Sequence, residues 1–174
     1  MKITATTNFD QVARHLRSLP PKIKGRVVAR SLNHVGGTTR TNIKRIIVQA
    51  SGLKSGVVGA GMSVKRATAF NPEYVIRVRG KYHNAGAFGA REIRSGVSAA
   101  PWKRRQRFKS AFMINGAVLV RTGSGRYPIK AVFGPSPARE LMRPENGAQI
   151  LITAHLSGKV MPRVRHELLR VLKM

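Results

Sequence analysis

Apolar residues over 21–50 recur at helical spacing. At about 100° per residue, Val28, Leu32, Val35, Thr39, Ile43, Ile46 and Ala50 share one narrow face, and Arg26, Arg30, Arg40 and Lys44 lie opposite. An unbroken helix there is roughly 45 Å long at about 1.5 Å per residue. Gly36-Gly37 weakens its middle, at about 1 kcal/mol per glycine relative to alanine, which leaves a kink or break open. Upstream, residues 2–6 read as a short strand or arm. Phe9, Val12, Leu16 and Leu19 then mark a short helix with Asn8 as a possible cap, closed by Pro20-Pro21.

Beyond Ser51-Gly52 and a short helical turn over 53–60, the period changes from helical to alternating. Residues 62–69 and 73–80 read as an antiparallel pair joined at Asn71-Pro72, and 81–90 as loop. Residues 91–100 form another extended segment. The apolar run at 117–120 ends at Arg121, where Gly123 and Gly125 predict a tight reversal through positive φ. Tyr127, Ile129, Ala131 and Phe133 then alternate with Pro128, Lys130 and Val132 as a second strand, Pro128 at a strand start or edge. Ser136 is placed to cap a helix, with Pro137 at its first position and Glu140 near its positive end. Val160, Val164, Leu168 and Leu172 step by four toward the carboxy terminus, with Pro162 starting that helix or kinking a longer one.

These elements predict an α+β fold and one domain over 1–174. Its helical amino-terminal part is 1–60, and an antiparallel sheet with a basic loop at 102–109 spans 61–133. Carboxy-terminal helices fill 134–174. A two-layer packing would bury the stripe of 21–50 against one sheet face.

Charge alters this picture most. The chain has 33 Lys+Arg against 6 Asp+Glu, a net charge of +27, so ion pairing cannot neutralise its surface and a polyanion or acidic partner is expected. A basic disordered tail does not fit, because 42% of residues are hydrophobic and the bases are spread along the chain. The run WKRRQRFK at 102–109 concentrates Lys103, Arg104, Arg105, Arg107 and Lys109. Trp102 and the nearby Phe112 read mainly as anchors to a core. With no cysteine, thiolate catalysis and Cys-based zinc sites are excluded. No long apolar segment predicts a signal peptide or membrane span, so synthesis in a cytoplasm is expected.

The stretch RTGSGRYPIKAVFGPSPARELM resembles the prophage minor tail protein Z family, the tail completion proteins of long-tailed bacteriophages. Arg121, Gly123, Gly125, Arg126, Pro128, Ile129, Gly134, Pro135 and Ser136 match the family's order of apolar strand, basic-and-glycine turn, proline-led strand and GPS before a helix. The segment GAREIRSGVSAAPWKRRQRFKSAF is similar as well, and the likeness covers most of the chain. The resemblance implies a structural virion protein made in the host bacterial cytoplasm. It would act at the head-proximal end of the tail, beside the tail terminator, tail tube and head-side stopper, in a homo-oligomeric ring with a hexamer favoured. Genomic DNA is a further possible partner.

Catalysis is not expected, nor any cofactor or metal. His166-Glu167 opens a zinc-protease-like pattern, but Arg170 stands where histidine is needed. Gly158-Lys159 lacks the rest of a phosphate loop. Asp10, Glu73, Glu92, Glu140, Glu145 and Glu167 form no local cluster, and His15, His34, His83 and His155 are scattered. The alternative reading is a stand-alone, sequence-independent nucleic-acid-binding protein associated with ribosomes or nucleoid. It lacks a helix-turn-helix, a paired-aromatic sheet motif and a GXXG loop.

Overall fold

The computed structural model describes residues 17–172. The expected strand over 2–6 and most of the helix that follows lie outside the described residues. The fold is α+β, as the periodicities predict. The described residues form two compact units. The first comprises 17–43, Met62–Arg77 and 147–172; the second comprises Lys44–Gly61 and Val78–Asn146.

Helix α1 runs unbroken over Pro21–Ser51, through both central glycines. Gly36 has a packing reason: a Cβ there would collide with the Tyr74 ring, so glycine lets the two approach. The buried stripe also differs from the narrow face read from periodicity. It is Val27, Ser31, Val35, Thr39, Ile43, Ile47 and Ser51; Val28, Leu32, Ile46 and Ala50 are only half-buried. Steps of four residues on a 3.6-residue turn advance about 40° each, so the stripe winds around the helix. Its hydroxyls escape the cost of burial by donating to the carbonyl four residues back. Ser31 Oγ donates to Val27 O at 2.9 Å, Thr39 Oγ1 to Val35 O at 2.8 Å and Ser51 Oγ to Ile47 O at 2.6 Å.

In the first unit α1 packs against the closing helix and also seats the segment that connects the first two strands. Val27 clusters with Val164 and Leu168 of the closing helix, flanked by Ile23, Val160 and Val171. That helix spans Ala148–Leu172 and contains Pro162 in its interior. Strands β1 (Met62–Lys65) and β2 (Val75–Val78) pair but are shorter than their alternation predicts. Asn33 explains the early end of β1. Its Oδ1 accepts from the amide of Ala67 and its Nδ2 donates to the Ala67 carbonyl, both at 2.9 Å, so neither group remains for a ladder.

In the second unit Ile47, Leu53 and Val58 are buried, with a short helix α2 at Ser55–Ala60. The single expected sheet is divided. Besides β1–β2 there are two antiparallel three-stranded sheets. One is β3 (Arg91–Ile93), β4 (Gly96–Ala99) and β5 (Gln106–Lys109); the other is β6 (Ala111–Ile114), β7 (Ala117–Arg121) and β8 (Ile129–Ala131). Ala85, Val97, Ala99, Ala111 and Val118 form their shared core. The 81–90 segment read as loop contains a 3-10 turn at Ala85–Phe88, pinned by Asn84. Asn84 Oδ1 accepts from Gly86 N at 2.9 Å and Val118 N at 2.7 Å, while Nδ2 donates to Val118 O at 3.1 Å.

Three local expectations change in this unit. Gly123 and Gly125 have no positive φ; the positive-φ pair is Asn115 (48°) and Gly116 (78°), between β6 and β7. Strand β8 covers only Ile129–Ala131 of the 127–133 alternation; beyond it Val132 packs against the core, while Tyr127 and Phe133 are exposed. Ser136 precedes helix α3 (Pro137–Met142) without capping it by its side chain, because Oγ donates to Gly80 O at 2.9 Å. The closing helix is α4.

Candidate nucleic-acid interface

The clearest collection of free cations lies on one face of β3–β4–β5. A two-residue turn at Arg94-Ser95 joins β3 to β4. Gly96 follows at φ 134°, where a Cβ would collide with Phe108 O, so only glycine lets β5 pair this closely. Register then sets the face. Arg91 pairs with Ser98 and Ser98 with Arg107, making one row across three strands; Ile93, Gly96 and Lys109 make the next. Side chains alternate between faces, so Arg91, Arg107 and Lys109 project to one side. Arg107 and Lys109 are about 7 Å apart along β5, and Arg91 is about 10 Å from Arg107 across the sheet.

The opposite face carries the apolar load. Val97, fully buried, pairs with Phe108 and Glu92. Glu92 thus points away from the basic row, and its Oε1 accepts from Met113 N at 2.8 Å. The basic face is left without an acid. Arg105 joins it by donating from Nη1 to Ser98 Oγ at 3.2 Å.

Residues 102–109 are therefore part turn and part strand, not the loop expected. Lys103, Arg104, Arg105, Arg107 and Lys109 are all exposed, and the bend that precedes them is fixed from below. Trp102 and Lys103 take positive φ, 53° and 58°. Trp102 Nε1–H donates to Glu140 Oε1 at 2.9 Å, and Arg143 lies 3.6 Å from the same oxygen. Asn146 donates to the Glu140 carbonyl at 2.6 Å. Glu140, 2% exposed, thus anchors the basic segment from the first turn of α3, where it also meets the positive end of the helix dipole as expected. Phe112 is half-buried beneath Arg121, whose guanidinium sits 4.8 Å from the ring centre.

On α1, Arg26, Arg30 and Arg40 are exposed, while Lys44 is half-buried and directed toward Gly59. Arg26, Arg30 and Arg40 belong to the first unit and the sheet bases to the second. Gly25, Asn33 and Gly36 of α1 also seat the segment over 67–74 against the helix. Of the residues behind the family resemblance, Gly134, Pro135 and Ser136 are buried and Ile129 half-buried. Arg121, Gly123, Gly125, Arg126 and Pro128 are exposed around the β7–β8 turn. Arg91 escaped the sequence reading. A basic residue beginning an extended segment carries no signal until the register of β3 is known.

Histidines from the two long helices, one on α1 and two on α4, converge in the first unit. His34, His155 and His166 line an open cleft of ≈ 380 Å³ with Thr38, Lys159 and Arg163. His155 is held in place. The Thr38 hydroxyl donates its proton to Val35 O at 2.8 Å, so it accepts from His155 Nε2–H at 3.2 Å, and Asn42 donates to Nδ1 at 3.4 Å. Arg163 is paired with Glu167. Among the described residues, no group of three or more His, Asp or Glu is disposed to hold a metal ion. No described helix is long and apolar enough to cross a membrane.

No protein-family model, curated protein or solved structure matches this chain.

Proposed function

We propose that the protein is a structural component that meets nucleic-acid phosphates through the basic face of β3–β4–β5, without reading sequence. The observation that carries this reading is the acid-free row Arg91–Ser98–Arg107, with Lys109 and Arg105 beside it. Exposed guanidinium and ammonium groups displace condensed counterions from a phosphate chain, and phosphate contacts carry no base information. The setting comes from the resemblance of 89–142 to tail completion proteins. In that setting the protein completes the tail at its head-proximal end, in a ring favoured to be a hexamer. Its neighbours there are the tail terminator, tail tube and head-side stopper. A ring with the basic face toward its lumen would hold DNA resting in or passing through it.

The test is duplex binding as a function of salt. For the unaltered protein, log affinity should fall linearly with log salt, with a slope of about −0.9 per phosphate engaged. Combining Arg91→Gln, Arg105→Gln, Arg107→Gln and Lys109→Gln should make the slope shallower by about 0.9 for each phosphate no longer neutralised. An unchanged slope would move the phosphates off this face. No duplex binding even at low salt would refute the phosphate reading.

A further inference from the structure

The turn between β1 and β2 holds an aromatic ring entirely in water. Phe70 is 100% exposed, although the residues on either side of it lie against α1. Its exposure is imposed by the backbone. Ala67 is clamped by Asn33 through two hydrogen bonds of 2.9 Å. The carbonyl of Ala69 sits against Gly25 and the Tyr74 ring against Gly36, each in space that a Cβ would occupy. Between these anchors the turn closes on itself. Thr68 N donates to Asn71 O at 2.9 Å, Asn71 N to Thr68 Oγ1 at 3.0 Å and Glu73 N to Asn71 O at 2.9 Å. The segment is thus seated on α1 on both sides of Phe70 while the ring points away.

Cations surround this projection in sequence. Lys65 and Arg66 lead into the turn and Arg77 follows it, all exposed; Glu73 is the one acid between them. An isolated aromatic face on a cation-bearing hairpin has a specific chemical complement, the flat π-face of a nucleobase in a phosphate-linked chain. An unstacked base, in a single strand or at a duplex end, offers that face without the cost of opening a stack.

We propose that Phe70 stacks on an unpaired nucleic-acid base, with Lys65, Arg66 and Arg77 holding the adjoining phosphates. This rests on the nucleic-acid reading above but uses a different unit and a different interaction. The experiment measures anisotropy of labelled oligothymidine and of a duplex of equal length, across a salt series. It compares the unaltered protein with Phe70→Ala, Phe70→Leu and Phe70→Tyr. A fully exposed ring contributes nothing to packing, so all variants should melt with the unaltered protein. Phe70→Ala and Phe70→Leu should lose about 5- to 150-fold in single-strand affinity with the salt slope unchanged, while Phe70→Tyr retains it. Duplex affinity should hardly change. Salt-dependent binding that Phe70→Ala leaves intact overturns this inference alone, as does a loss that Phe70→Leu restores, since that points to an apolar protein pocket. Absence of binding to either probe overturns both readings.

Discussion

At the scale of single residues, adjacent glycines in α1 play opposite parts. A Cβ at Gly36 would meet the Tyr74 ring, whereas a Cβ at Gly37 would meet nothing within 4 Å. Both lie inside a continuous helix, so both bear glycine's helix penalty. Gly37→Ala should therefore stabilise the protein by about 0.5–1 kcal/mol. Gly36→Ala should destabilise it by about 1–3 kcal/mol, because the ring must be displaced. Urea unfolding of the two variants reads the difference, and the same sign for both would contradict the seating of Tyr74. The sequence registers the pair only as a weak point in a helix. The same blindness applies to Ser31 and Ser51, though not to Thr39, which the periodicity places on the apolar face. Each serine counts as polar in a periodicity, yet each satisfies its hydroxyl within the helix and is buried.

Among elements, asparagine side chains decide where backbone pairing stops and starts. Asn33 ends β1, and Asn84 ties the 3-10 turn to β7 by pairing both backbone groups of Val118. Val118 is fully buried, so Asn84→Ala would strand its N–H without water, while its C=O keeps the bond from Val132 N at 3.0 Å. The expected loss is about 1–3 kcal/mol in unfolding free energy, and a neutral result would show that the pairing is dispensable. Element types were largely legible: the long helix, the closing helix and the alternating middle all appear. Register was not. The run over 127–133 alternates but is apolar on both sides, so the alternation does not tell that Val132 packs to the core while Phe133 stays exposed. The Asn115-Gly116 hairpin was missed although Asn-Gly is a strong turn signal, because the Gly-Ser-Gly turn is the more conspicuous of the two in sequence. The bases from Lys103 to Lys109 were visible as composition. Their union with Arg91 required the ladder.

For the whole molecule, the distribution of acids matters more than their number. Five of the six fall among the described residues, and three of those have fixed internal tasks. Glu92 receives Met113 N, Glu140 receives Trp102 and Arg143, and Glu167 pairs with Arg163. That leaves Glu73 and Glu145, both exposed, against a surface rich in cations. Such a surface repels itself and favours anionic neighbours. On the tail-completion reading, removing the protein from its phage should leave filled heads and separate tails that do not join. Electron microscopy of lysates reads this directly, and joined, infectious particles without it would sink the assignment. If the protein instead sediments with ribosomes or nucleoid, the stand-alone alternative takes its place.

Trp102 is the chain's single tryptophan, and its indole is hydrogen-bonded to a buried carboxylate one residue before Lys103. The molecule consequently contains its own optical probe. Near-ultraviolet excitation at the red edge selects one fluorophore, placed at the root of the basic strand. Its emission reports, without labels, whether a polyanion has engaged the neighbouring surface.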